Sequence, residues 1–149
     1  QELDRQLAGW LAKAGGTTSG GDPLPIDGLR AIIAPKRVFI LGPSHHVYLP
    51  GCAISKCPKY NTPLGDLIID QEVNKALYKT GQFEHMSQDT DEDEHSIEMH
   101  LPYVYKVFEK QIDKVKVVPI LVGALTESTE RQFGKLMAPY LGNPENLFI

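Results

Sequence analysis

Residues Arg37–Val47 read RVFILGPSHHV, and this stretch decides the fold. Val38 to Leu41 form an unbroken apolar run, the pattern of a strand covered on both faces, as in a parallel sheet. The run stops at Gly42-Pro43, and Ser44, His45 and His46 follow at once. In open α/β sheets, ligands bind beyond the carboxyl ends of the strands, so both histidines fall on the functional edge. A neutral imidazole binds transition metals and can move protons near neutrality. Neighbouring side chains on an extended segment point to opposite sides, so one of the two histidines at most is expected to face a site.

The surrounding segments alternate between strand and helix patterns. KVKVVPILVGAL, Lys114–Leu125, reads as a second strand with its exit loop, and RAIIAP, Arg30–Pro35, as a third. NLFI, from Asn146, reads as the start of a fourth. Leu3, Leu7, Trp10 and Leu11 mark one face of an amphipathic helix. Asp70 is expected to cap a helix running to Tyr78, with Val73 and Leu77 inward and Gly81 beyond its end. A further helix carries Ile97, Leu101, Val104, Tyr105 and Phe108 on one face, and Pro102 is expected to kink it. Ser128 is expected to cap a helix with Phe133, Leu136, Met137, Tyr140 and Leu141 inward. Val47–Asp70, broken by Pro50, Pro58 and Pro63, reads as an irregular β-hairpin excursion. The fold expected is α/β, an open, mostly parallel sheet with helices on both faces, with residues 1–149 forming part of a single domain.

One junction conflicts with that fold. Only Pro35 and Lys36 separate the strand at Arg30 from the strand at Arg37. Two parallel strands need a crossover of about a dozen residues, and Pro-Lys is not a two-residue hairpin turn. A segment is therefore expected to be missing between Pro35 and Lys36, and the chain is expected to continue after Ile149.

Composition removes several function classes. An apolar fraction of 42%, a charged fraction of 23% and a formal net charge of −4 describe a globular chain without the basic surface that nucleic acid requires. No apolar run approaches the ~18 residues of a membrane span, so no membrane insertion is expected. Two cysteines make no disulfide framework, which favours a cytoplasmic setting. There is no P-loop, no G-x-G-x-x-G and no G-x-S-x-G.

The remaining candidates are few. His95 and His100 in HSIEMH lie five apart, about 140° around a helix, so they do not form a two-histidine metal face. His95, on the first turn, is a candidate pocket residue; His100 is expected to pack on a helix face. His85 is expected in a loop, facing solvent. Cys52 and Cys57 could be drawn into a zinc site with His45 and His46, but the default for both is small core residues. The acids between Asp89 and Glu94 read as a solvated loop leading into a helix N-terminus.

RVFILGPSHHV, TPLGDLIID, QDTDEDEHSIEMHLPY, PILVGALTES and FGKLMAPYL together resemble the Memo family, named for mediating receptor-tyrosine-kinase-driven cell motility. The likeness runs from about Leu3 to Ile149 and resembles the N-terminal half of such a protein. It implies a fold similar to class III, LigB-like extradiol dioxygenases. It implies a metal pocket, for iron or copper, built from a His after "AP", the first His of "PSHH" and a distant Cys. Of these His45 alone is present, Lys36 stands where the first would be, and His95 and His46 remain pocket-lining candidates. The literal chain is therefore expected to bind metal poorly. The resemblance further implies a cytoplasmic, or also nuclear, regulator of cell motility. Such a regulator would bind receptor tyrosine kinase phosphopeptides or cytoskeletal regulators through a vestigial dioxygenase pocket. The alternative is an iron- or copper-dependent redox enzyme. A phosphotyrosine would want Arg or Lys beside the pocket, and Lys36 and Arg37 are the cations nearest the suspect junction.

Overall fold

The computed structural model describes residues 35–149, so the expected helix at Leu3–Leu11 and all but the last residue of the strand at Arg30–Pro35 lie outside the described residues. RVFILGP forms β1, Arg37–Pro43, and KVVPILV forms β6, Lys116–Val122. Between them run β2 (Cys52–Ile54), β3 (Lys59–Thr62), β4 (Gly65–Ile69), α1 (Gln71–Lys79), β5 (Phe83–His85), α2 (Gln88–Asp93), α3 (His95–Glu98) and α4 (Leu101–Phe108). A 3-10 turn follows at Glu109–Lys114, and α5 (Glu127–Leu141) and β7 (Asn146–Phe148) complete the described chain.

The main sheet has the order β3-β4-β6-β1-β7. β1 is parallel to β6 on one side and to β7 on the other, and β4 is parallel to β6. β3 is antiparallel to β4, and β2 is antiparallel to the far end of β6. The sheet is open and mostly parallel, as the apolar runs imply.

Both faces are covered. Val38 and Ile40 of β1 pack with Ile97, Leu101, Val104 and Phe108 of α3 and α4 on one face. Phe39 packs with Val73 and Leu77 of α1 and with Phe133 and Met137 of α5 on the other. Each such side chain, fully buried, contributes roughly 1.5–3 kcal/mol.

Pro119 lies inside a central strand, where its missing N–H would ordinarily break the ladder. Ser44 donates to the carbonyl of Val122 on the β1 side, and Asp70 to that of Val117 on the opposite side. Backbone polar groups alternate along a strand, so the nitrogen of Pro119 faces away from β1. There β4 has stopped pairing at Val117 and β2 begins at Ile120. The proline sits where no donor is required.

Local signals set most helix ends. Asp70 caps α1 by accepting from the backbone N–H groups of Glu72 and Val73, and Gly81, with φ of 72°, turns the chain beyond the helix end. Two expectations change. Pro102 does not kink a helix: it is the second residue of α4, where its missing N–H costs nothing, and the chain bends at His100 between α3 and α4. Thr126, not Ser128, caps α5, because Thr126 and Thr129 exchange side-chain and backbone hydrogen bonds in a capping box. No helix among the described residues is long and apolar enough to cross a membrane.

Candidate functional site

His45 stands two residues beyond β1, at the carboxyl edge of the parallel strands. Its backbone N–H donates to one oxygen of Glu94 at 3.1 Å, and its Nδ1 lies 3.0 Å from the other. Glu94 is 3% exposed and caps α3, also accepting from the N–H of Ser96 at 3.3 Å. Burial pushes the Glu94 carboxyl up, but the donors from His45 and Ser96 outweigh it and hold the group down at about 2. An ionised carboxylate can only accept, so Nδ1 carries the proton in this pair and Nε2 is the open nitrogen of the neutral ring. The imidazole remains 59% exposed.

Gly42 makes this contact possible. A Cβ at position 42 would sit 2.5 Å from the Ser96 hydroxyl and 2.6 Å from Ile97 Cγ1. With glycine there, α3 lies directly against the strand end, and the Ser96 hydroxyl donates to the carbonyl of Pro43 at 3.2 Å. That close approach delivers Glu94 to His45.

The other histidines separate. His46 and His95 meet edge to face with ring centroids 5.9 Å apart, so both stand beside His45 on the same edge. His95 Nδ1 pairs with Glu98 at 3.0 Å, which raises its basicity. His100 turns Nδ1 to the carbonyl of Ser96 at 2.8 Å. His85 is not a solvent-facing loop residue: it ends β5, half buried, and stacks on Tyr78 with centroids 4.1 Å apart.

Behind Glu94 lies a cleft of about 290 Å³, lined among others by Cys57, Tyr60, Asp91, Glu92 and Glu98. Its base is a polar network in which Asp91 accepts from both the Ser55 hydroxyl and the Tyr60 phenol. Burial, and then the Asp91 charge, push the Tyr60 phenol far up, so it stays a donor. The acids expected as a solvated run thus divide: Asp91 and Glu94 are structural acceptors. No fixed spacing in the sequence marks either partnership. Four carboxylates against Lys59 make the cleft acidic, which suits cationic groups rather than phosphate.

Lys36 and Arg37 are at the wrong end of β1. Lys36 pairs with Glu145 at 2.6 Å and Arg37 with the buried Asp70 at 2.7 Å. The strand between them and His45 spans more than ~20 Å. Lys36 therefore cannot replace a metal-ligating imidazole, and neither cation can reach a ligand at His45. Cys52 is buried among Phe39, Ile54 and Phe83, where burial pushes its thiol up to about 11. It packs as a core residue.

A metal-ligating imidazole commonly gives its other ring nitrogen to a carboxylate, as His45 does. Among the described residues no group of three or more His, Cys, Asp or Glu is placed to hold a metal ion, whereas catalytic sites commonly use three protein ligands.

Residues 27–149 match the family model described as Memo-like protein. The chain is 47% identical over 171 residues to Protein MEMO1 of Rattus norvegicus and to that of Homo sapiens, matches that cover 99% of this chain and 55% of each relative. It is 41% identical over 172 residues to Protein memo-1 homolog of Caenorhabditis elegans, covering 100% of this chain and 46% of that protein. The chain spans about half the length of the curated relatives it matches.

Proposed function

The chain belongs to the Memo family, and from that premise we propose that it is a regulatory binding protein of cell motility. Its partner in this reading is a phosphotyrosine-bearing segment of a receptor, recognised at the carboxyl edge of the sheet. The observation that carries it is the His45–Glu94 pair: an exposed imidazole held in one orientation by a buried carboxylate, with His46 and His95 beside it. Three imidazoles give an edge rich in hydrogen-bonding nitrogens, and the acidic cleft behind Glu94 takes basic side chains flanking the phosphotyrosine. Recognition needs a pre-oriented surface but no complete ligand set.

A second reading, a metal-dependent redox enzyme, draws on the same pair, since a carboxylate-held imidazole is how proteins present metal ligands. Fluorescence anisotropy separates the two. Binding that requires the phosphate, persists in a chelator and weakens at least about tenfold, ~1.4 kcal/mol, in His45→Ala supports the binder. Equal affinity for phosphorylated and plain peptide, or none for either, overturns it. Loss of binding on chelation favours the metal reading.

An alignment of 171 positions on a chain of 149 residues leaves at least 22 positions of the relative without a counterpart. We place that shortfall between Pro35 and Lys36. Both edges of β1 are taken, by β6 and β7, so two linking residues leave a preceding strand no free edge on β1.

A further inference from the structure

The helix that leads into Glu94 has no apolar face. None of the six residues of α2 is buried, and a helix this short does not stand by itself in water. The chain enters it from Met86, buried with Leu49, Ala53 and Leu121, and leaves it toward Ile97, buried with Val38 and Ile40. Between Met86 and Ile97 the one buried residue is Glu94. Ser87 caps α2 by accepting from the N–H of Thr90 at 3.2 Å, but that bond is internal to the segment.

Among the described residues, the side-chain hydrogen bonds that tie α2 to the rest of the fold are those of Asp91. Its carboxylate accepts from the Tyr60 phenol of β3 and from the hydroxyl of Ser55, the residue after β2. Hydrogen bonds to a carboxylate are about twice as strong as neutral ones. Both donors are themselves fixed. Ser55 is buried; its hydroxyl accepts from the N–H of Cys57 at 2.9 Å and its carbonyl from Asn74 Nδ2 at 3.0 Å. The Tyr60 ring packs against the same core cluster as Ile97 and Leu101. Glu94 follows Asp91 by three residues, a reach of about 10 Å at most. Glu94 is thus held from two sides. On one side Ile97 packs and α3 lies against Gly42. On the other the anchor is polar, and it is Asp91.

We propose that Asp91 is the positioning residue of the His45 site, acting through Glu94, with the Tyr60 phenol and the Ser55 hydroxyl as its supports. Removing a donor from Asp91 loosens α2, lets Glu94 shift, and releases the His45 ring from its single orientation. The effect on peptide affinity rests on the binding reading proposed above; the effect on the ring does not.

Tyr60→Phe keeps the ring on the core and takes one donor from Asp91. Nitrogen-15 spectra, recorded on the whole 149-residue protein where its imidazoles are neutral, are expected to show His45 protonated at Nδ1 in the native chain. Tyr60→Phe is expected to show both tautomers with unchanged far-UV circular dichroism. Asp91→Asn, which keeps the side-chain shape and one acceptor oxygen, should do the same. Phosphopeptide affinity should fall about two- to tenfold in either variant, the worth of one hydrogen bond. Arg37→Met is the control: it destabilises the chain from the far end of β1 and should leave the His45 tautomer as it is. A ring that keeps the single Nδ1 tautomer in both folded variants overturns the proposal. Equal mixing in Arg37→Met overturns it too, because lost stability of any origin would then suffice. Mixed tautomers with unchanged peptide affinity uphold the positioning role of Asp91 and count against the binding reading instead.

Discussion

Replacing Glu94 by Gln tests the physical account of the site. The native carboxylate is buried and accepts from His45 N–H, His45 Nδ1 and Ser96 N–H. Glutamine keeps the shape and one acceptor oxygen but loses the charge. The fall of the Glu94 pKa from 4.5 to about 2 corresponds to roughly 3 kcal/mol of native-state stabilisation. The His45 ring is 59% exposed, and solvent screening reduces the recoverable share to about 1–2 kcal/mol. The sign follows from the depressed pKa: the stabilisation is fully present above 4.5 and fades as pH falls toward 2. Urea unfolding of the native protein and Glu94→Gln should therefore differ by about 1–2 kcal/mol at pH 7, and the gap should narrow steadily between pH 4.5 and 2.5. Nitrogen-15 spectra should show Nδ1 of the neutral His45 ring protonated in the native protein and mixed tautomers in the variant. A stability gap that stays constant down to pH 2.5, or an unchanged tautomer, would refute the reasoning.

Two other substitutions probe the scaffold. Gly42→Ala puts a methyl group 2.5 Å from the Ser96 hydroxyl; it should cost about 1–3 kcal/mol by thermal melting and move His45 and Glu94 resonances together, because α3 must retreat. Arg37→Met leaves Asp70, 1% exposed, without its ion-pair partner; it should cost about 3 kcal/mol in urea while peptide binding at His45 is unchanged, since the two lie at opposite strand ends.

Much of the architecture was legible because its causes are local. The unbroken run Val38–Leu41 implied a strand buried on both faces, and helices do cover both faces of β1 at Val38, Phe39 and Ile40, while Leu41 at the carboxyl edge is exposed. Asp70 announced α1, and its side chain caps that helix. Local signals failed where two readings of one residue compete: Pro102 looked like a kink but starts α4, and Ser128 yielded the cap to Thr126. His85 looked like a loop residue because nothing nearby in sequence shows its stacking on Tyr78.

The sequence by itself determined that His45 stands at the end of a parallel strand, because hydrophobic continuity and a Gly-Pro stop are written into consecutive residues. Only the tertiary structure decided what holds it. His45 and Glu94 are 49 residues apart, and they meet because Gly42 lets α3 lie against the strand end. The same three-dimensional register carried Lys36 and Arg37 to the far end of β1, away from the site their sequence proximity suggested. A strand advances about 3.3 Å per residue, so seven residues are enough to separate neighbours in sequence across the whole height of the sheet.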